Sequence, residues 1–119
     1  MDFALTEEQA QIVDMVDAFA AEKLAPHTQA WDREAHFPLD VMRELAELGL
    51  AGVFVDPEHG GSGLGRLDGA LIFEGLAKGC VSTSAFMTIH NMVAWMIDRF
   101  GDAEQRAHWL PKLCAMETV

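Results

Sequence analysis

The sequence predicts an all-α fold, an up-and-down bundle of about six helices, on three grounds. Apolar residues recur at spacings of three and four through most of the 119 residues, the period of a helix with one buried stripe. Thr, Asp, Pro and Gly stand where such helices need caps and stops. A single short segment, "LAGVFVDP", reads as extended, and one strand does not make a sheet.

The first helix begins at Thr6, because Thr6-Glu7-Glu8-Gln9 has the form of a capping box in which hydroxyl and amide each satisfy an unpaired N–H. Ile12, Val13, Val16, Phe19, Ala20 and Leu24 then form its apolar stripe. Pro26 ends this helix or starts a short second one, roughly residues 26–35. A third, "FPLDVMRELAELG", is opened by Pro38, turns Val41, Met42, Leu45 and Leu48 inward, and stops at Gly49. After the extended segment and a glycine-rich loop, a fourth helix from Leu67 buries Leu67, Leu71, Ile72 or Phe73, and Leu76. The fifth, about Ser82 to Phe100, is apolar nearly all round and is expected at the centre, with neighbours on every face. Asp102 and Gln105 cap a sixth, which Pro111 is expected to break or kink.

Charge narrows the possible partners. Eight Lys and Arg against 19 Asp and Glu give a formal charge of −11, which repels nucleic acid and anionic lipid surfaces. There is no basic segment leading into an apolar one at the N-terminus, and no apolar run of membrane-spanning length. A cytosolic or matrix location fits this composition. Half of the residues are nonetheless apolar, including seven Met, seven Phe and three Trp. Some of that apolar surface is expected to meet another surface.

The loop "PEHGGSGLGRL" invites comparison with phosphate-binding loops, since Gly60 and Gly65 have the spacing of G-x-x-x-x-G. Arg66 and Leu67 follow, where such a loop needs Lys and then a hydroxyl for the metal ion. The dinucleotide pattern fails as well, and a tight connection using glycine's backbone freedom is expected. The five histidines never reach a spacing that puts two ligands on one helix face, so no metal site is assigned. Asp32 with His36 and Glu104 with His108 are four apart, the spacing of surface ion pairs. Cys80 and Cys114 lack a C-x-x-C spacing and are expected to be buried free thiols. No serine or cysteine has the context of an activated nucleophile.

His90 and Asn91 are polar groups inside the most apolar helix. One reading has both hydrogen-bonded to core backbone. The other has the helix lining a ligand cavity, with Phe86, Ile89, His90 and Val93 on adjoining faces of an apolar floor and Met87, Met92 and Met96 as adaptable filler.

The motifs "LTEEQ", "AGVFVDPEHGGSGLG" and "HNMVAWMIDRFGDAEQRAHWLPKLCAME", in that order, resemble the N-terminal helical domain of the acyl-CoA dehydrogenase family across essentially the whole chain. The later motifs are most similar to members that act on isobutyryl-CoA in valine breakdown. The resemblance implies a longer enzyme with FAD, in which a β domain carries much of the flavin site and a C-terminal bundle supplies the glutamate base. No catalytic or cofactor-binding residue is therefore assigned here, and the ending "LCAMETV" is expected to be a truncation. Acyl-CoA substrate, the remaining domains, a homotetramer and an electron-transferring flavoprotein are the implied partners. The implied location is bacterial cytoplasm or the mitochondrial matrix. Residue by residue, the positions similar to one wall of the family's acyl pocket are Phe86, Ile89, His90 and Val93, where a bulky Phe86 and branched Ile89 would exclude long chains. A non-catalytic helical interaction domain of the same architecture is the alternative.

Overall fold

The computed structural model describes residues 1–119 as a flat helical slab, 42 × 41 × 19 Å. Helix α1 spans Glu7–Phe19 and starts as its sequence requires: the Gln9 N–H donates to Thr6 Oγ1 at 3.1 Å, and the Thr6 N–H to Gln9 Oε1 at 3.0 Å. It runs without interruption into a π-helical turn, Ala20–Leu24. Then follow α2 (Thr28–Arg33), α3 (Leu39–Glu47), a short 3₁₀ turn (Pro57–His59), α4 (Arg66–Gly79), α5 (Val81–Phe100) and α6 (Ala103–Cys114). Gly49, at φ +84°, takes the left-handed conformation that closes α3. None of these helices is long and apolar enough to cross a membrane.

The main core joins Val16 of α1, Leu24, Leu45 of α3, Ile72 and Leu76 of α4, and Met87 of α5, all inaccessible to solvent. Glycines on α4 let the first helix come close: a Cβ at Gly75 would sit 2.6 Å from Val16 Cγ1, and one at Gly79 2.6 Å from the Ala20 carbonyl. A smaller cluster joins Val55, Ala94, Leu110, Leu113 and Cys114, and so ties α6 to α5.

Five expectations need correction. Leu48, expected to turn inward, is 43% exposed, because α3 ends at Glu47 and Leu48 is the capping residue from which the chain turns away rather than part of the buried stripe. The "LAGVFVDP" segment is a series of turns rather than a strand, held by the glycine loop beside it. There Ser62, Gly63 and Leu64 donate their N–H groups to the carbonyls of Gly52, Val55 and Val53, at 2.9, 2.9 and 2.8 Å. The two stretches lie so close that a Cβ at Gly61 would collide with the Val55 carbonyl. Leu67 is 64% exposed, because the buried stripe of α4 runs through Gly69, Ile72, Gly75, Leu76 and Gly79. Glycines on a buried face carry no apolar signal, so the periodicity was misplaced by its visible residues. Helix α6 continues through Pro111 to Cys114. The carbonyl that loses its partner belongs to Ala107, which is exposed, so water can replace the missing donor. Finally, α5 packs on α4 and α6 but has neighbours on one side only.

Candidate functional site

Helix α5 is polar where it is buried and apolar where it is exposed. Its buried side carries Thr83, Ser84, Met87, His90, Asn91 and Ala94. On the open side Val81 is 70% exposed, Ile89 58% and Phe100 73%, with Met92, Val93 and Met96 between them.

The buried polar groups are fully engaged. Asn91 Oδ1 accepts the Val53 N–H at 2.8 Å, while Nδ2 donates to the carbonyls of Leu50 at 2.9 Å and Met87 at 2.8 Å. His90 Nε2 lies 2.8 Å from the Leu113 carbonyl; a carbonyl only accepts, so that nitrogen carries the proton. Ser84 Oγ donates to the Phe73 carbonyl at 2.7 Å. No buried side-chain nitrogen or oxygen lacks a partner. Asn91 ties α5 to turn backbone at Leu50 and Val53 that has no sheet or helix to satisfy it, while Ser84 and His90 tie it to carbonyls of α4 and α6.

The four candidate residues spread over an arc of the helix. Phe86 is half-buried, meets the Phe37 ring edge-on with centroids 4.8 Å apart, and stacks on His90 at 6.3 Å. It lines a cavity of about 690 Å³ walled by α2, the start of α3 and the α4–α5 junction, together with Trp31, Phe37, Met42 and Cys80. His90 lies buried behind Phe86. Ile89 and Val93 lie instead on the open apolar side. Phe86 and His90 are thus brought together, while Ile89 and Val93 face a different space. Sequence reasoning named Met92 and Met96 as filler around the pocket but missed Val81 and Phe100, at the two ends of that open face. A usable signal was present: a helix with its polar residues on the core side must be apolar on the other.

Both thiols are free and buried. Burial alone would raise the Cys80 thiol, but hydrogen bonds from the side chains of Thr28 and Thr83 and the backbone of Thr83 and Ser82 outweigh it and hold the group below its ordinary 9.0. Burial pushes Cys114 up to about 11, and the charge of Asp98 adds to the effect. No cluster of three His, Cys, Asp or Glu residues could hold a metal ion. Asp32 with His36 and Glu104 with His108 form no ion pair; the two pairs present are Lys23 with Glu44 and Lys78 with Asp17.

The glycine loop cannot cradle a phosphate. The N–H groups of Gly60, Gly61, Ser62, Gly63 and Leu64 all donate to carbonyls of the same loop and its neighbour. That of Gly65 donates to Asp68 Oδ2 at 2.9 Å. With the N–H groups of residues 60–65 all taken, the glycines of the loop offer no cradle for the pyrophosphate of a flavin dinucleotide.

A six-helix domain whose longest helix leaves an apolar face open is the architecture of an acyl-CoA dehydrogenase N-terminal domain. The sequence profile of that domain, "Acyl-CoA dehydrogenase, N-terminal domain", matches residues 6–117, and the chain belongs to this family. The chain is similar to mitochondrial isobutyryl-CoA dehydrogenase of Bos taurus, with 52% identity over 113 residues, 95% of this chain and 27% of the relative. It is equally similar to the Dictyostelium discoideum enzyme of that name, 52% identical over 115 residues, 97% of this chain and 28% of the relative. The solved structure of the glutaryl-coenzyme A dehydrogenase glutaryl-CoA complex matches with a TM-score of 0.94 and 30% identity, over 98% of this chain and 31% of that one. The chain thus spans little more than a quarter of the length of these curated relatives.

Proposed function

We propose that this domain serves a flavin-dependent acyl-CoA dehydrogenase that removes hydrogen from the α and β carbons of a short branched thioester, isobutyryl-CoA by preference. The observation that carries the reading is the 52% identity to two isobutyryl-CoA dehydrogenases along nearly the whole chain. FAD would supply the hydride acceptor, held by parts of the protein other than these residues. The base belongs to those parts too, and no catalytic role falls to residues 1–119.

The contribution of the domain is one wall of the acyl pocket. Phe86, Ile89, His90 and Val93 are the proposed wall residues. His90 would act by backing Phe86, whose ring it stacks against, while its own proton is committed to Leu113. Phe86 and Ile89, on neighbouring sides of α5, would each take up acyl space on the side they face, admitting a branched four-carbon acyl group and excluding long chains by overpacking. The remaining domains of the enzyme, further copies in a homotetramer and an electron-transferring flavoprotein are the proposed partners. The mitochondrial matrix in a eukaryote, or the cytoplasm of a bacterium, is the proposed compartment.

The test is a visible spectrum of the natural gene product, recorded anaerobically before and after isobutyryl-CoA is added. A yellow flavin band that bleaches supports the reading. A protein that stays colourless after reconstitution with FAD would favour a non-catalytic interaction domain. For the wall, Phe86→Ala and Ile89→Ala in the intact enzyme should shift kcat/KM toward longer acyl thioesters by about tenfold, the scale of one or two methylenes in an apolar pocket. An unchanged chain-length profile would remove these residues from the wall.

A further inference from the structure

Arg66, the first residue of α4, has its guanidinium carbon 4.5 Å from the centroid of the Phe54 ring and 4.5 Å from that of Trp95. The two rings wedge it between the turn segment that precedes the glycine loop and the flank of α5. Arginine cannot lose its charge, and its side chain gives up considerable rotamer freedom when clamped in this way. Yet in a chain with 19 acidic residues it pairs with none, and it donates no hydrogen bond to any acceptor of the domain. By contrast, Arg43 donates to the Met116 carbonyl at 3.1 Å and Arg106 to the Asp102 carbonyl at 3.4 Å. Held beside two aromatic rings and still exposed, the guanidinium has N–H groups left to offer, a planar fork that matches a carboxylate bidentately. Beside it, Leu67 is exposed and Trp95 half-exposed, so the fork is set in an apolar collar.

We propose that Arg66 is a docking point for an Asp or Glu carboxylate of the same polypeptide outside the shared domain, seated with apolar neighbours against Leu67 and Trp95. The proposal rests on the reading that this domain is part of a longer dehydrogenase chain. The relatives have nearly three quarters of their length outside the matched region, which provides the segment. The occupant lies in the same chain because one exposed ion pair is too weak to hold a separate protein. A tethered segment, at high effective concentration, needs no more than that. The net charge of −11 also disfavours a polyanion such as a nucleotide at this point, whereas a single carboxylate bound bidentately carries one charge.

Amide hydrogen exchange on the full-length protein tests this, comparing the wild type with Arg66→Gln, Arg66→Lys and Trp95→Leu. Arg66→Gln is expected to speed exchange roughly tenfold in one contiguous segment outside residues 1–119, the scale of a charge-assisted hydrogen bond. Arg66→Lys keeps the charge without the fork and should restore protection in part; Trp95→Leu should loosen the same segment. Unchanged exchange outside residues 1–119 in Arg66→Gln overturns the proposal. A loss of oligomeric mass with exchange in the rest of the subunit otherwise unchanged would place the carboxylate on a second copy, and a raised KM for an electron-accepting protein alone would place it on that protein. Either result also overturns it. The exchange and mass readouts do not require the protein to contain flavin, so the proposal can fail or stand independently of the spectral test.

Discussion

The two sides of α5 reverse the usual order of a surface helix. Asn91, 1% exposed, makes three hydrogen bonds on the core side, while Phe100, nine residues on, is 73% exposed. In an ordinary amphipathic helix, burial follows hydrophobicity. Here the inner side is polar because Asn91 meets irregular backbone at Leu50 and Val53, which must find a donor and an acceptor, and because Ser84 and His90 bond to carbonyls of α4 and α6. The outer side is apolar although nothing in the domain covers it. One side of the helix completes this domain, and the other is left as open apolar surface.

The largest effect expected from breaking that contrast is on the inner side. Asn91→Leu would leave the Val53 N–H and the Leu50 carbonyl buried without partners, a cost on the order of 3 kcal/mol. In the intact protein this should appear as roughly hundredfold faster exchange of the Val53 amide, since about 1.4 kcal/mol corresponds to tenfold. Protection equal to wild type would show that water reaches these groups and that the inner side is not sealed.

A smaller effect concerns pH. The Cys114 thiol, at about 11 in the fold against an ordinary 9.0, stays protonated where an unfolded chain has lost its proton. Between those values the unfolded state binds fewer protons, so stability is whole below 9.0 and falls as pH rises toward 11. Urea midpoints measured across that window should decline in the wild type and decline less in Cys114→Ala. Equal slopes would mean that the thiol titrates normally.

The smallest effect belongs to the outer side. Ile89→Ser and Met96→Ser should change local opening within the domain by no more than about 0.5 kcal/mol, as exposed positions do. A hydrophobic dye should bind the separated domain but much less to the intact protein. Equal dye binding by both would mean that the outer side stays uncovered.

The sequence made the helices legible, and the reasons lie in particular residues. Thr6 with Gln9 and Asp102 with Gln105 wrote the starts of α1 and α6 into four-residue patterns that need no tertiary context. The family motifs placed the whole chain in its fold. What stayed hidden depended on contacts between distant residues. The inward face of α4 was marked by Gly69, Gly75 and Gly79, which have no side chain to register. Arg66 read as ordinary loop chemistry because Phe54 and Trp95 reach it only after the helices pack. Of the proposed wall, the sequence grouped four residues by helical spacing, but α5 turns Phe86 and His90 toward one space and Ile89 and Val93 toward another.

Asn91 also bears on how quickly the domain comes apart. Its amide joins α5 to Leu50 and Val53, 41 and 38 residues away, so it can close only after α3, the turns and α5 have come together. Such a long-range clasp is expected to close after the folding barrier is crossed, which corresponds to a φ-value of about zero, so that it contributes mainly to the barrier against unfolding. Asn91 is therefore a determinant of lifetime: its loss would leave the folding rate nearly unchanged and shorten the time the native domain survives before it opens.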